Sequence, residues 1–570
     1  MNPQRLLAAA AAAVLLRIAS AGPVSNSGAA SQPTLEIPAG TVVGSVVDGV
    51  EYYRGIPYAH PPTGPLRLKP PKRLERLGTF NATGIGPSCP QMIIKEYPPL
   101  LVEVVANPVA ARALFLGAAL GNEGEDCLTI SVMRPEGTAP DARLPVLLWI
   151  HGGGFEIGSS QPYNASVLIP RGVAQGKPFI FVSVNYRLGG FGFLGGKELL
   201  AEGSTNLGLL DQRMAMEWVS KNIAGFGGDP DAVTIWGESA GAFSVFDHLT
   251  LYDGDNTYEG RPLFRAGIMN SGSIIPADPV DGPKAQAVFD TVVEAANCSA
   301  HPTLDKVACL REVDYKTFLE ATDTVPIFMS YNSVAFSYMP RPDGKILTAS
   351  SETLAKAGKI ARVPIIVGNM EDEGTVFSIF QANTTTEDAL VSYLNDVIFP
   401  GATRQEITAL VNTYPYNNGT AGSPFGTGTM NQAYPQFKRL AAILGDTAFI
   451  LMRRAFLDML PVSMPAWAFQ AAFERGTPIL GSFHTSDLPR MFYDSDDASR
   501  AMQDRYIAFA TSLDPNTEVS ASAGYSAYWP KWQESQQLLE FGRNSTRLVP
   551  DDFRATSFDY IQANLDILRQ

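Results

Sequence analysis

Residues 232–246, "AVTIWGESAGAFSVF", change character within five positions. An apolar run with strand composition, Ala232–Trp236, leads into Gly237-Glu238-Ser239-Ala240-Gly241, and a helical pattern follows in "AFSVFDHLTL". A small hydroxyl residue between two glycines, at a turn from strand to helix, admits few architectures. The glycines permit a tight turn and close packing of helix on strand. The serine then stands clear at the carboxyl end of the strand. The following helix directs the positive end of its dipole toward the serine, where a developing oxyanion would be stabilised.

Other segments supply the sheet. "LPVLLWI" (144–150), "PFIFVSV" (178–184) and "PIIVGN" (364–369) are short, continuous apolar runs between glycine-rich turns and helical stretches. Strands of this kind belong to a parallel or mixed sheet covered on both faces. The last 200 or so residues are richer in helical periods, as in "FKRLAAILGDTAFILMRRAFLDML" (437–460). With no internal repeat and no long linker, residues 35–570 read as one α/β domain carrying helical insertions.

The strand–turn–helix context makes Gly237–Gly241 a G-x-S-x-G nucleophile elbow. The wider stretch "FGGDPDAVTIWGESAG" (226–241) resembles the serine signature of the type-B carboxylesterase and lipase family. "YRGIPYAHPPTGPLRLKPP" (53–71), "EDCLTISV" (125–132, with Thr129 where an aromatic is common), "NYRLGGFGFL" (185–194) and "NLGLLDQRMAMEWV" (206–219) resemble further family segments in the same order. The resemblance implies an α/β-hydrolase fold, a large mostly parallel sheet flanked by helices, with ester hydrolysis through an acyl-enzyme. It implies no metal and no organic cofactor.

A serine hydroxyl needs a base to take its proton. The chain has five histidines. His60 and His151 precede the serine, whereas the chain order of this fold is serine, acid, histidine. His248 lies on the serine's own helix, and His301 sits between Cys298 and Cys309. His484, in "LGSFHTSDLP" (480–489), remains as the base. For the acid, an apolar strand ends directly in "EDEGT", so Glu371, Asp372 and Glu373 compete on residue chemistry alone. The family's acid is a glutamate followed by glycine, and the resemblance implies Glu373. "HGGGFEIGSS" (151–160) resembles the HGGG-type oxyanion loop, implying donors at the N–H groups of Gly153, Gly154 and Ala240. Ser271 in "MNSGS" resembles a supporting residue near the site.

The amino-terminal 21 residues have a basic residue, a short apolar run and Ala19-Ser20-Ala21, the pattern of an export signal. Residues 22–34 read as a flexible leader, and secretion is expected. No later segment is long and apolar enough for a spanning anchor. A net charge of −14 excludes nucleic acid as the main partner. Four cysteines in an exported chain favour disulfides, and their spacing leaves three pairings open. The resemblance implies Cys89–Cys127 and Cys298–Cys309. Asn81, Asn164, Asn297, Asn383, Asn418 and Asn544 begin N-x-S/T acceptors for glycosylation.

The first cysteine pair encloses residues 90–126, rich in apolar residues at 97–121 and without the tryptophan of cholinesterases. This loop resembles the lid of secreted fungal lipases. It is read either as a cover that opens transiently at a lipid interface or as permanently packed core. The substrate expectation is therefore a lipase acting on acylglycerols or other long-chain esters. A general carboxylesterase for small soluble esters is the runner-up. A non-catalytic interaction protein predicts a missing serine or histidine, and both are present.

Overall fold

A strand that is apolar at every position needs a hydrophobic layer on each face. Leu144–Ile150 has both: Val146, Leu148 and Ile150 enter one buried cluster, and Leu147 and Trp149 the other. The structure, a computed structural model, describes residues 32–116, 122–300, 305–417, 421–519, 522 and 524–570. Among these, eleven strands form one sheet. In chain order they are β1 (Ser45–Val47), β2 (Val50–Pro57), β3 (Thr129–Pro135), β4 (Leu144–Ile150), β5 (Ile180–Val184), β6 (Gly228–Glu238), β7 (Ala266–Asn270), β8 (Ile365–Met370), β9 (Ala466–Ala472), β10 (Gln537–Gly542) and β11 (Thr546–Pro550).

The order across the sheet is β11-β10-β9-β8-β7-β6-β4-β5-β3-β2-β1. Neighbours from β5 through β10 run parallel. The pairings that involve β1, β2, β3 and β11 are antiparallel. The sheet is thus parallel at its centre, as expected for a mostly parallel α/β-hydrolase sheet, with antiparallel margins of which β1–β2 and β10–β11 are joined by short hairpins. In such sheets ligands bind beyond the carboxyl ends of the strands. The loops after β4, β6, β7, β8 and β9 meet there.

Helices cover both faces. In chain order those that shape the site are α1 (Pro99–Ala106), α2 (Pro108–Leu114), α3 (Ala240–Thr250), α4 (Phe437–Gly445), α5 (Leu451–Met459) and α6 (Asp497–Ser512). Residues of α3, α4 and α5 pack in the cluster of Val146 and Leu148. Met502, Tyr506 and Phe509 of α6 pack with Trp149 and Trp236 on the opposite face. The helical periods at 437–460 form α4 and α5, joined by a π-helical turn at Asp446–Ile450. An inserted turn of this kind re-aims side chains, and Phe449 within it faces His484.

Both disulfides pair neighbours, Cys89 with Cys127 and Cys298 with Cys309. At the far end of the expected 22–34 leader, Thr34 pairs in a strand with Val43. The export segment 1–21, the leader up to residue 31, His301, Asn418 and residues 117–121 of the 90–126 loop lie outside the described residues. Asn81, Asn297, Asn383 and Asn544 are exposed, and Asn164 is half-buried. Among the described residues no helix is long and apolar enough to cross a membrane.

Candidate active site

Strand β6 ends at Glu238 and α3 begins at Ala240, leaving Ser239 alone as the link, with φ 55° and ψ −124°. Such a backbone state is costly for a residue with a Cβ and persists only where packing enforces it. Packing does so here: a Cβ on Gly241 would lie 2.0 Å from the carbonyl oxygen of Ile150. The helix therefore sits directly against β4, and the serine is forced outward. Its N–H donates to the carbonyl of Asn270 at the end of β7 (2.9 Å).

The structure brings the three expected side chains together. His484 Nε2 lies 2.9 Å from Ser239 Oγ, and His484 Nδ1 lies 2.6 Å from Glu373 Oε2. Glu373 Oε1 accepts a hydrogen bond from the Met370 N–H (2.7 Å), so both carboxylate oxygens are spoken for. All three residues are buried, and Glu373 completely so. The imidazole is gripped by Phe377 and Phe449, whose centroids lie 5.0 and 4.8 Å from its own. A histidine held by a carboxylate on one nitrogen and a hydroxyl on the other has the tautomer that a general base requires, protonated at Nδ1.

The loop after β4 passes close to the serine. A Cβ on Gly152 would sit 2.9 Å from Ser239 Cβ. Gly154 has φ +64°, and a Cβ there would lie 2.6 Å from the Phe328 ring. His151, which opens the loop, is stacked on Tyr186 at 4.4 Å, and its Nδ1 meets the Gly152 carbonyl at 2.8 Å. Burial lowers its pKa to about 4, so it stays neutral as a loop support. His248 is also buried, 2.8 Å from Gln212 Oε1, and takes no part in the cluster. Ser271 is buried beside the elbow with φ 56°, its N–H donating to Gly368 and its hydroxyl unpartnered.

Several neighbours were not singled out by sequence reasoning. Glu238 Oε1 approaches His484 Nε2 at 3.5 Å. Burial, reinforced by the charges of Asp487 and Glu373, raises its carboxyl well above the usual range and disfavours its charged form. Asp487 accepts from Asn270 Nδ2 (2.7 Å), and burial lifts its carboxyl to about 6. Asn270 Oδ1 in turn accepts from Trp236 Nε1 and Tyr506 OH. The only sequence signal for this network is the crowding of carboxylates around Ser239 and His484.

Helices α1 and α2, within the 90–126 loop, form a cover. Leu101, Val104 and Val105 of α1 and Ala110 and Ala113 of α2 are buried against Met329, Val376, Ile379, Phe380, Leu480 and Phe483. All of those partners but Met329 lie just after Glu373 or just before His484 in the chain. Lys95 pairs with Asp323 (2.9 Å) and Arg112 with Asp494 (2.8 Å), holding the cover at both ends.

A strained serine at a strand–helix turn, in contact with a carboxylate-held histidine at the carboxyl edge of a mixed sheet, defines an α/β-hydrolase. The carboxylesterase family model matches residues 31–560, and the chain belongs to that family and is a carboxylic ester hydrolase. It is 50% identical over 548 residues to a secreted triacylglycerol lipase, LIP1, of Gibberella zeae, covering 95% of this chain and 91% of that one. It is 48% identical to secreted lipase 1 of Botryotinia fuckeliana, covering 95% and 94%. Among solved structures, that of Aspergillus niger EstA superposes with a TM-score of 0.78 at 27% identity, covering 95% of this chain and all of the other.

Proposed function

We propose that the chain is a secreted lipase that cleaves acylglycerols and other long-chain carboxylic esters, with Ser239 as nucleophile, His484 as general base and acid, and Glu373 as the group that orients the imidazole. The observation that carries the chemistry is the hydrogen-bonded series Ser239–His484–Glu373, with contacts of 2.9 and 2.6 Å. His484 Nε2 takes the hydroxyl proton as Ser239 Oγ attacks the ester carbonyl, and the electron pair moves to the carbonyl oxygen. The N–H groups of Gly153, Gly154 and Ala240 receive that oxyanion. Collapse of the tetrahedral adduct expels the alcohol, which leaves with the proton from His484. Water then repeats the sequence on the acyl-serine and releases the acid. Glu373 keeps its charge throughout and stabilises the imidazolium.

The long-chain preference rests on the cover. Its apolar underside meets the apolar walls beside Glu373 and His484, and lifting it would uncover a surface suited to lipid. In this reading the cover is a mobile lid that swings out in transient contact with a lipid interface. Residues 1–21 act as the export signal, and the exposed N-x-S/T sites are glycan acceptors. The relatives named as secreted lipases support export and the lipase reading.

The test is a rate series on p-nitrophenyl esters of increasing chain length, with and without emulsified triacylglycerol. The proposal predicts rising kcat/KM with chain length and a jump in rate once the emulsion forms. Activity confined to short soluble esters would overturn the lipase assignment and leave a general carboxylesterase.

A further inference from the structure

Glu371, Asp372 and Glu373 are consecutive carboxylates, yet each meets a different partner. Glu371 forms a bidentate pair with the half-exposed Arg475 (2.6 and 2.7 Å). Glu373 meets His484. Asp372, 1% exposed, has no cation in hydrogen-bonding contact, and its oxygens are filled by neutral donors. Oδ2 accepts from the Ser482 N–H (2.9 Å), and Oδ1 accepts from Ser423 Oγ (2.8 Å) and the Phe425 N–H (2.9 Å). The Asp372 N–H itself donates to the Ser482 carbonyl (2.9 Å). Ser482 is thus held at both its N–H and its carbonyl by one residue, two positions before His484.

Resting on the reading above, we propose that Asp372 is a positioning residue, whose buried carboxylate locks the turn bearing Glu373 to the loop bearing His484 and so sets the carboxylate–imidazole contact without touching substrate. The path is short and closed: Glu373 to Asp372 along the chain, Asp372 to Ser482 through two hydrogen bonds, Ser482 to His484 along the chain, and His484 back to Glu373. Gly481 makes room for it, because a Cβ there would lie 2.2 Å from Asp372 Oδ2. Flanking contacts converge on the same loop: Thr375 Oγ1 donates to the Leu480 carbonyl (2.9 Å), and Ser482 Oγ accepts from the Glu474 N–H (2.9 Å). Burial, with the neighbouring Glu371 charge, lifts the Asp372 carboxyl to about 7 against the pull of its three donors. An asparagine could not replace it. Its single carbonyl oxygen would satisfy one side, and its amide would face a backbone N–H on the other, that of Ser482 or of Phe425.

The experiment uses the full disulfide-bonded chain. Asp372→Asn is compared with wild type for kcat and KM on p-nitrophenyl butyrate, with active sites counted by stoichiometric reaction with a fluorophosphonate. An ångström-scale misplacement in such a site costs about 100-fold. The expected result is a fall in kcat per titrated site of that order, KM unchanged within about twofold, and a matching fall in the fluorophosphonate inactivation rate. Should the asparagine variant not accumulate, Asp372→Glu, which pushes the carboxylate into the loop by one methylene, is judged by the same ratio. Wild-type kcat per titrated site in either variant, even with fewer sites or a lower Tm, would show a merely structural role and overturn the inference. Undiminished turnover in Ser239→Ala would instead overturn the reading on which the inference rests.

Discussion

Replacing Glu373 by glutamine tests the orientation chemistry with one atom changed. The carboxylate faces two donors, His484 Nδ1–H at 2.6 Å and the Met370 N–H at 2.7 Å. Glutamine offers one acceptor and one donor. If its carbonyl keeps the imidazole, its amide confronts a buried N–H, at a cost of about 1–3 kcal/mol. If it keeps Met370, His484 Nδ1 must accept, the proton moves to Nε2, and the base can no longer take the serine proton. In either arrangement the attraction between carboxylate and imidazolium is lost. At 2.6 Å and an effective dielectric of about 20, that attraction is about 6 kcal/mol, equivalent to about 10⁴-fold in rate. The assay is kcat and KM on p-nitrophenyl butyrate for Glu373→Gln and Glu371→Gln, with folding checked by circular dichroism. Glu373→Gln should lose about 10⁴ in kcat with little change in KM. Glu371→Gln gives up only a partly exposed pair with Arg475, worth less than about 1 kcal/mol, and should stay within about twofold of wild type. A Glu373→Gln enzyme keeping more than about a tenth of its kcat, or equal damage from both variants, would refute the reasoning.

Three further outcomes follow. Gly154→Ala puts a methyl 2.6 Å from the Phe328 ring at φ +64°; kcat should fall by about 10²–10³ as the loop shifts its donors, and wild-type kcat would contradict an oxyanion role. Arg112→Ala removes a partly exposed pair with Asp494 worth less than about 1 kcal/mol, so turnover of soluble long-chain esters without an interface should rise up to about fivefold while the emulsion rate holds. An unchanged soluble rate would exclude the pair as a latch. Glu156 is fully buried, and burial raises its carboxyl to about 8 from 4.5 although it accepts from the Phe328 N–H. A raised folded-state value stabilises below the unfolded pKa and loses that contribution as pH climbs to the folded one. Wild-type Tm should therefore fall between about pH 5 and pH 9, and Glu156→Gln should flatten the fall; parallel profiles would rule Glu156 out as its source.

The parts legible in the sequence are those fixed by local rules. Apolar runs such as 144–150 mark buried strands, the glycines around Ser239 mark a strand–helix turn, and five histidines leave His484 after simple exclusion. The antiparallel margins were less legible, since short strands like Ser45–Val47 carry little pattern. The π turn that aims Phe449 at the imidazole has no composition of its own within a helical period. The roles of Glu238, Asp487 and Asp372 depend on which loops meet at the sheet edge, and the separation of 110 residues between Asp372 and Ser482 lies beyond any local pattern. Chemistry could reduce the acid to three neighbours; only the fold gives each its separate partner.

The most direct test is to trap the acyl-enzyme. Wild-type protein mixed with a slowly deacylating p-nitrophenyl ester, quenched in acid and digested, should carry one acyl group per chain on the peptide containing Ser239, and His484→Ala should carry none on the same timescale. Acylation at another residue, or labelling of Ser239 that is indifferent to His484, would contradict the account.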